Sequence, residues 1–403
     1  MNQKTLIALG VAAALAVGVA LFVDHSRAPQ SDVSARAGLL VPELRDRVND
    51  VTRITMTVAN NQPAVTLARG EKGWTVAQRG GYPADVGKLR DFLLKLADAT
   101  LLEEKTSNKE RYADLGVDDI TGASAKGVLL DLEGMAKPVR VVVGMFNAQG
   151  GGTFVRRADE AQSWLAKGSL APEKSPADWL AKDLANIAAD RIASVTITRP
   201  DGKLVRVAKK SAADARFDIA DVPKGREPSS EYAANGLGAV LSELRIDDVA
   251  PLAEAAPPAT AFKARYVTFD GLVVDATAWK IGDKAHATFV ATLDDALATR
   301  HVGEAQAKVA AEHAAGQANT PKPEEGAPAP APPAEAAVPL AVTDPVKDRE
   351  QRLAAAKDEV ARLNAAFTGW SFVLPAHKFS NIDKSMDDLL KPLEAKAPTK
   401  GQG

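Results

Sequence analysis

The sequence predicts an α+β protein built as two tandem repeats behind one N-terminal transmembrane helix. Each repeat is read as an antiparallel β-meander, a packing helix and further β-strands. Three landmarks carry this expectation. Ile54-Thr55-Met56-Thr57 recurs as Val195-Thr196-Ile197-Thr198, 141 positions later. The apolar stripe Leu89, Phe92, Leu93, Leu96 recurs as Leu237, Val240, Leu241, Leu244, 148 positions later. Thr153-Phe154-Val155 recurs as Thr288-Phe289-Val290, 135 positions later. Landmarks in one order at nearly one offset are the mark of a duplicated unit.

The N-terminal element decides the expected address. Residues 1–4 form a short polar tail with one lysine, read as cytoplasmic. Residues 5–23 are uncharged and mostly Ala, Val and Leu. At ~1.5 Å per residue such a helix spans ~28 Å, close to a ~30 Å hydrocarbon core. A signal-peptide core is shorter, ~7–15 residues. An uncleaved anchor in a bacterial inner membrane is therefore expected, single-pass, with the main part in the periplasm. A cleaved signal is the alternative, and both export the rest. The chain has no cysteine, which excludes disulfides, lipidated cysteine and thiolate metal sites. Its net charge of −2 offers no basic surplus for nucleic acid.

Residues 24–48 read as a polar stalk. The first repeat is expected over 49–188. Ile54, Met56 and Val58 alternate with threonines as a half-buried strand does. Val65–Leu67 and Trp74–Val76 complete the meander between the turns 60–63 and 70–73. Pro83 and Asp85 mark a helix start, and Val86, Leu89, Phe92, Leu93 and Leu96 share one helical face. Strands return at 128–132, 139–143 and 153–155, with Gly150-Gly151-Gly152 as a turn. A tail helix is expected at about 176–187.

The second repeat is expected over 189–300, opening with Ile192, Val195 and Ile197. Phe217 stands where Trp74 stood, a helix begins near Ser230, and later strands fall at 266–269, 272–274 and 279–281. Gly236 and Gly238 interrupt that helix at a cost of ~1 kcal/mol each against alanine, and allow close approach to the sheet.

The repeat is then interrupted. No aromatic residue occurs from 290 to 366, and seven prolines lie between Pro321 and Pro339. Such a stretch buries too little apolar surface to offset its chain entropy, so 301–345 are read as a disordered Ala/Pro-rich insert. An insert helix follows at 346–366, with Val346, Leu353, Val360 and Phe367 recurring every seven residues. It either docks on its own domain or meets a partner helix. Trp370–Val373 resume the repeat, which ends over 367–395, before a disordered tail at 396–403.

The chemistry-bearing residues form no catalytic set. His25, His286, His301, His313 and His377 show no metal-ligand spacing, and His313 falls in the insert. No nucleophile elbow or phosphate loop occurs, and Gly236-Leu237-Gly238 lacks the third glycine of a dinucleotide fingerprint. Glu103-Glu104 and Asp387-Asp388 are adjacent, so their side chains point apart. Trp74, Trp164, Trp179, Trp279 and Trp370 would suit glycan stacking if exposed. No catalytic, cofactor or metal residue is assigned.

The pattern resembles an uncharacterised family of single-anchor bacterial envelope proteins with a duplicated α+β domain of unknown function, often encoded beside gliding-motility-type ABC transporters. The resemblance is carried by residues 5–23, Trp74 with the helix from Pro83 to Leu96, Tyr112-Ala113-Asp114-Leu115-Gly116, the strand ending at Gly144, Phe154-Val155-Arg156-Arg157 and Asp178-Trp179-Leu180. The second repeat lacks the Tyr-x-x-Leu-Gly loop. The resemblance implies a non-enzymatic accessory or scaffold protein, with the inner membrane and ABC transporter subunits as partners. A periplasmic glycan- or lipid-binding module is the alternative, and a hydrolase assembled from distant residues is the third reading.

Overall fold

The computed structural model describes residues 38–318 and 338–392. The expected anchor at 5–23, His25, most of the stalk, the proline-rich stretch 319–337 and the tail at 396–403 lie outside the described residues. Among the described residues, no helix is long and apolar enough to cross a membrane. The architecture is α+β, with two large antiparallel sheets and several helices. The chain divides into two compact units, Met1–Trp179 and Leu180–Gly403.

The first unit runs through strands β1 (Arg53–Val58), β2 (Gln62–Gly70), β3 (Gly73–Val76) and β4 (Tyr82–Pro83). Helix α1 (Val86–Ala97) follows, then β5 (Leu101–Glu104) and the one-turn α2 (Tyr112–Leu115). Strands β6 (Val128–Glu133), β7 (Val139–Asn147), β8 (Gly152–Arg157) and β9 (Ser163–Lys167) complete a nine-stranded sheet, order β4-β3-β2-β1-β6-β7-β8-β9-β5. Asp85 caps α1 by accepting from the Lys88 amide at 2.9 Å, and Leu89, Leu93 and Leu96 are buried. The stalk reading fails for residues 38–48. Leu40, Val41 and Leu44 are buried, and Glu43 makes a two-pronged ion pair with Arg157 at the end of β8. An apolar triplet and a paired carboxylate hold this segment on the unit rather than in solvent.

The expected tail helix at 176–187 is also corrected. Pro176–Trp179 form a single 3-10 turn, and Asp183–Ala185 are extended. The buried Trp179 ends the turn: its indole Nε1 donates to the Glu173 carbonyl at 2.9 Å and Phe92 meets it edge-on.

The second unit contains β10 (Asp183–Ala185), β11 (Ile192–Thr198), β12 (Leu204–Ala208), β13 (Asp218–Ile219), the one-turn helix α3 (Asn235–Gly238), β14 (Leu244–Arg245) and β15 (Asp248–Pro251). Then come β16 (Phe262–Thr268), β17 (Leu272–Ile281), β18 (Lys284–Leu293), α4 (Asp295–Ala318), α5 (Leu340–Thr343), α6 (Pro345–Phe367), β19 (Trp370–Leu374), α7 (Ala376–Ile382) and α8 (Met386–Leu389). The main sheet has the order β13-β12-β11-β16-β17-β18-β19-β15, and β10 pairs separately with β14. Residues 272–274 and 279–281, read as two strands, belong to one.

Three further expectations change here. The helix expected from Ser230 is reduced to one turn. A Cβ on Gly238 would lie 2.4 Å from the Phe217 ring, and one on Gly236 would lie 2.6 Å from Asn381 Oδ1. Both glycines therefore permit close packing while weakening the helix. Residues 301–318, read as disordered, are helical, because this Ala-rich stretch precedes the prolines and favours helix strongly. His313 accordingly lies in α4.

The third landmark falls on corresponding strands but out of phase. The ladder row Met56–Leu130–Val141 ends on Arg157, whereas Ile197–Ala264–Ala276 ends on Phe289. An odd shift reverses the faces. Val155 is buried while Val290 is 54% exposed.

Candidate functional site

One part of the family resemblance, the Tyr112–Gly116 turn with Phe154 and Arg156, meets on one face of the first unit. Tyr112, Val117, Ile120, Leu129 and Val142 form a buried cluster with Leu115 and Phe154 at its edge. The Tyr112 hydroxyl donates to the Ala161 carbonyl. The Arg156 guanidinium lies 4.7 Å from the centre of the Tyr112 ring and donates from Nε to the Val117 carbonyl at 2.9 Å. Its other end meets Asp119 at 2.6 Å. Gly116 has φ +69°, the left-handed conformation that closes a helix turn. Gly144 is fixed by proximity, since a Cβ there would lie 2.4 Å from the Leu115 carbonyl oxygen. The tail motif is held likewise: the Asp85 amide donates to the Trp179 carbonyl at 2.8 Å, and Lys88 Nζ donates to the Asp178 carbonyl at 2.9 Å. Tyr112, Arg156 and Trp179 are buried in these contacts.

A strongly charged cleft belongs to the second unit, where α4 and α6 stand over the β16–β17 hairpin. Its volume is about 330 Å³. Arg191, just before β11, donates to Asp270 at 2.8 Å and to both Glu359 oxygens at 2.9 and 3.1 Å. The Glu359 hydrogen bond outweighs burial and raises the Arg191 pKa above its ordinary value. Burial acts to raise the Asp270 carboxyl, but the Thr268 hydroxyl and Arg191 prevail and hold it below the usual range. Close approach of helix and hairpin requires Gly271, whose φ is +90° and whose Cβ would lie 2.7 Å from the Ala298 nitrogen.

The described histidines do not converge. His301 lines the cleft, but its neighbour Asp270 is engaged by Arg191. His286 is 6% exposed, stacks on Trp279, and its Nδ1 is 3.0 Å from Ser371 Oγ. Burial lowers its pKa, with Lys284 adding to the effect and Asp248 opposing it. His377 is in α7. Among the described residues, no group of three or more His, Asp or Glu side chains could hold a metal ion.

The paired carboxylates separate as expected from adjacency. Glu103 turns to Lys105 at 2.7 Å. Asp387 binds Arg226 at 2.9 Å, while Asp388 completes a capping box with Ser385. Trp179 and Trp279 are buried and the other three tryptophans are half-buried. None lines the charged cleft. Gly150 and Gly151 lie in the β7–β8 turn and Gly152 opens β8; Asn147 Oδ1 accepts from the amides of Gln149 and Gly150 at 3.1 Å. Sequence reasoning missed the Arg191–Asp270–Glu359 cluster. Its only sequence signal was charge on residues 79 and 168 positions apart in the chain.

Residues 74–264 match the family described as Domain of unknown function (DUF4340). The matched segment is less than half of the chain. It begins at Trp74 in β3, ends in β16, and holds all the resemblance-bearing motifs beyond residue 23. The DUF4340 match thus includes parts of both compact units. No curated protein and no solved structure matches the chain.

Proposed function

We propose that the chain is a non-enzymatic envelope scaffold, held at the inner membrane by residues 5–23 and acting in the periplasm as an accessory to an ABC transporter. One observation carries the reading: Tyr112, Gly116, Gly144, Arg156 and Trp179, five of the residues that carry the family resemblance, are consumed in packing. A family recognised through architecture rather than through a reactive group fits a scaffold better than a catalyst. The transporter association and the membrane address rest on the resemblance and on the 5–23 segment.

We further read the two units as tandem copies of one ancestor. Set β4 aside, and both main sheets follow one connection plan: the first strand is central, the third ends one edge and the fourth ends the other. Agreement of eight strands in order and neighbour supports duplication more strongly than the short sequence landmarks do.

The test is affinity purification of the full chain from gently solubilised membranes of its own host. Transporter subunits should co-purify. Their absence, under conditions that keep other membrane complexes whole, would overturn the scaffold reading.

A further inference from the structure

We propose that the cleft between α4, α6 and the β16–β17 hairpin binds a small single-chain anionic amphiphile. The cleft is walled on three sides. The N-terminal end of α6 is locked to α4 by Gln306, which donates from Nε2 to the Pro345 carbonyl at 2.6 Å and to Asp348 at 2.9 Å. The C-terminal end is locked to the sheet. There the Asn364 amide exchanges two hydrogen bonds with the Ala291 backbone, at 2.9 and 2.8 Å, and Phe367 packs on Phe289. Between these two anchors the helices face each other with small side chains, Ala298 and Ala305 on α4 and Ala355 and Ala356 on α6. Small residues facing each other between fixed ends leave a gap rather than an interdigitated seam. At ~1.5 Å per residue, Arg352 to Arg362 spans ~15 Å of α6, long enough to lie along a short alkyl chain.

The chemistry of the lining is split. Leu272, Leu293, Val302 and Leu353 give an apolar floor. Around it stand Arg191, Arg352, Arg362 and His301, facing Asp270 and Glu359. Both carboxylates turn to Arg191. Arg352 is met by Asp348, at 2.8 Å. Arg362 has no carboxylate partner among the described residues. An acidic head group would therefore find a guanidinium not yet neutralised, with the internal carboxylates held away by Arg191. An alkyl tail would find the aliphatic floor. Ligand sites commonly combine a mainly apolar wall with a few polar groups that fix orientation, in volumes from ~300 Å³ upward.

The experiment uses the full chain in nanodiscs and ω-fluoro-octanoate, followed by ¹⁹F NMR with empty nanodiscs subtracted. Saturable binding is expected, and unlabelled octanoate should displace the probe. Octanol, which lacks the charge, and acetate, which lacks the tail, should each compete at least tenfold more weakly. Arg362→Ala should weaken binding at least fivefold, and Ala305→Phe, which fills the gap, should abolish it. Melting temperature is measured for each variant, and Arg362→Lys should recover part of the affinity if positive charge is what the head group meets. No saturable signal, or affinity unchanged in both Arg362→Ala and Ala305→Phe at wild-type melting temperature, would overturn the proposal. Failure here leaves the scaffold reading untouched, because that reading is tested by co-purification.

Discussion

The two units place their strands alike and cover them differently. In the first, the chain after the meander forms a regular 12-residue helix, α1, with a side-chain cap and three buried leucines, packed against the turns at 42–44 and 48–50. In the second, the same place in the chain yields only the single turn α3, and the sheet is covered from elsewhere. Phe367 of α6 packs on Phe289 of β18, and Phe379 of α7 packs edge-on against Phe262 of β16. The link between β8 and β9 is residues 158–162, whereas that between β18 and β19 is residues 294–369. The difference teaches that like-ordered sheets can take their helical cover from different places: Gly236 and Gly238 weaken the local helix of the second unit, and helices far along the chain pack on its sheet.

The opposite faces differ as well. In the first unit the Tyr112–Gly116 turn and Arg156 close a second buried cluster over Leu129 and Val142. Among its described residues, the second unit has no such loop. Its outward strand positions carry the Arg265–Asp275 pair and the exposed Val290.

The sharpest way to break this comparison is to remove one cover at a time. Phe367→Ala should cost about 3–5 kcal/mol, and Leu93→Ala about 2–5 kcal/mol. Hydrogen exchange on the full chain should localise the first loss to β16–β18 and the second to β1–β3. Equal loss of protection in both sheets from either variant would show that the covers are not separate.

A smaller effect is expected at the Arg191 cluster, which the first unit lacks. Its three side chains are about one-third exposed, so solvent screens part of the interaction. Arg191→Met should cost roughly 1–3 kcal/mol by leaving Asp270 and Glu359 facing each other. Adding Glu359→Gln should restore part of that loss in thermal melts, and a double variant no better than the single would refute the coupling.

The smallest effect is a pH dependence centred on His286. The folded state holds this imidazole below its ordinary pKa, chiefly by burial. Its contribution is therefore complete above the unfolded value of about 6.5 and is lost as pH falls from there towards the lowered folded value. Denaturant midpoints at pH 7.5 and 5.5 should differ in the wild type and converge in His286→Gln. A slope that survives the substitution would assign it to other groups.

Much of this architecture was legible in the sequence. The alternation of Ile54, Met56 and Val58, and the cap and stripe of α1, announce local structure through local periodicity. Less legible were features set by distant partners. The phase of β8 depends on an irregularity between Val143 and Phe146, so Thr153-Phe154-Val155 matched Thr288-Phe289-Val290 in letters but not in facing. The reach of α4 to residue 318 was hidden by the prolines that follow it, and the burial of Leu40, Val41 and Leu44 by the polar residues around them. At the candidate sites, adjacency anticipated that neighbouring carboxylates turn apart, Glu103 to Lys105, Asp387 to Arg226 and Asp388 to Ser385. No periodicity could bring Arg191 to Glu359.

The central claim is that the residues marking this family act through shape. The most direct test is recovery of partners from membranes carrying wild type, Tyr112→Phe or Arg156→Lys, at a temperature where all three are folded. The account predicts equal recovery of transporter subunits from all three. A variant that is folded and membrane-bound yet recovers none would contradict it.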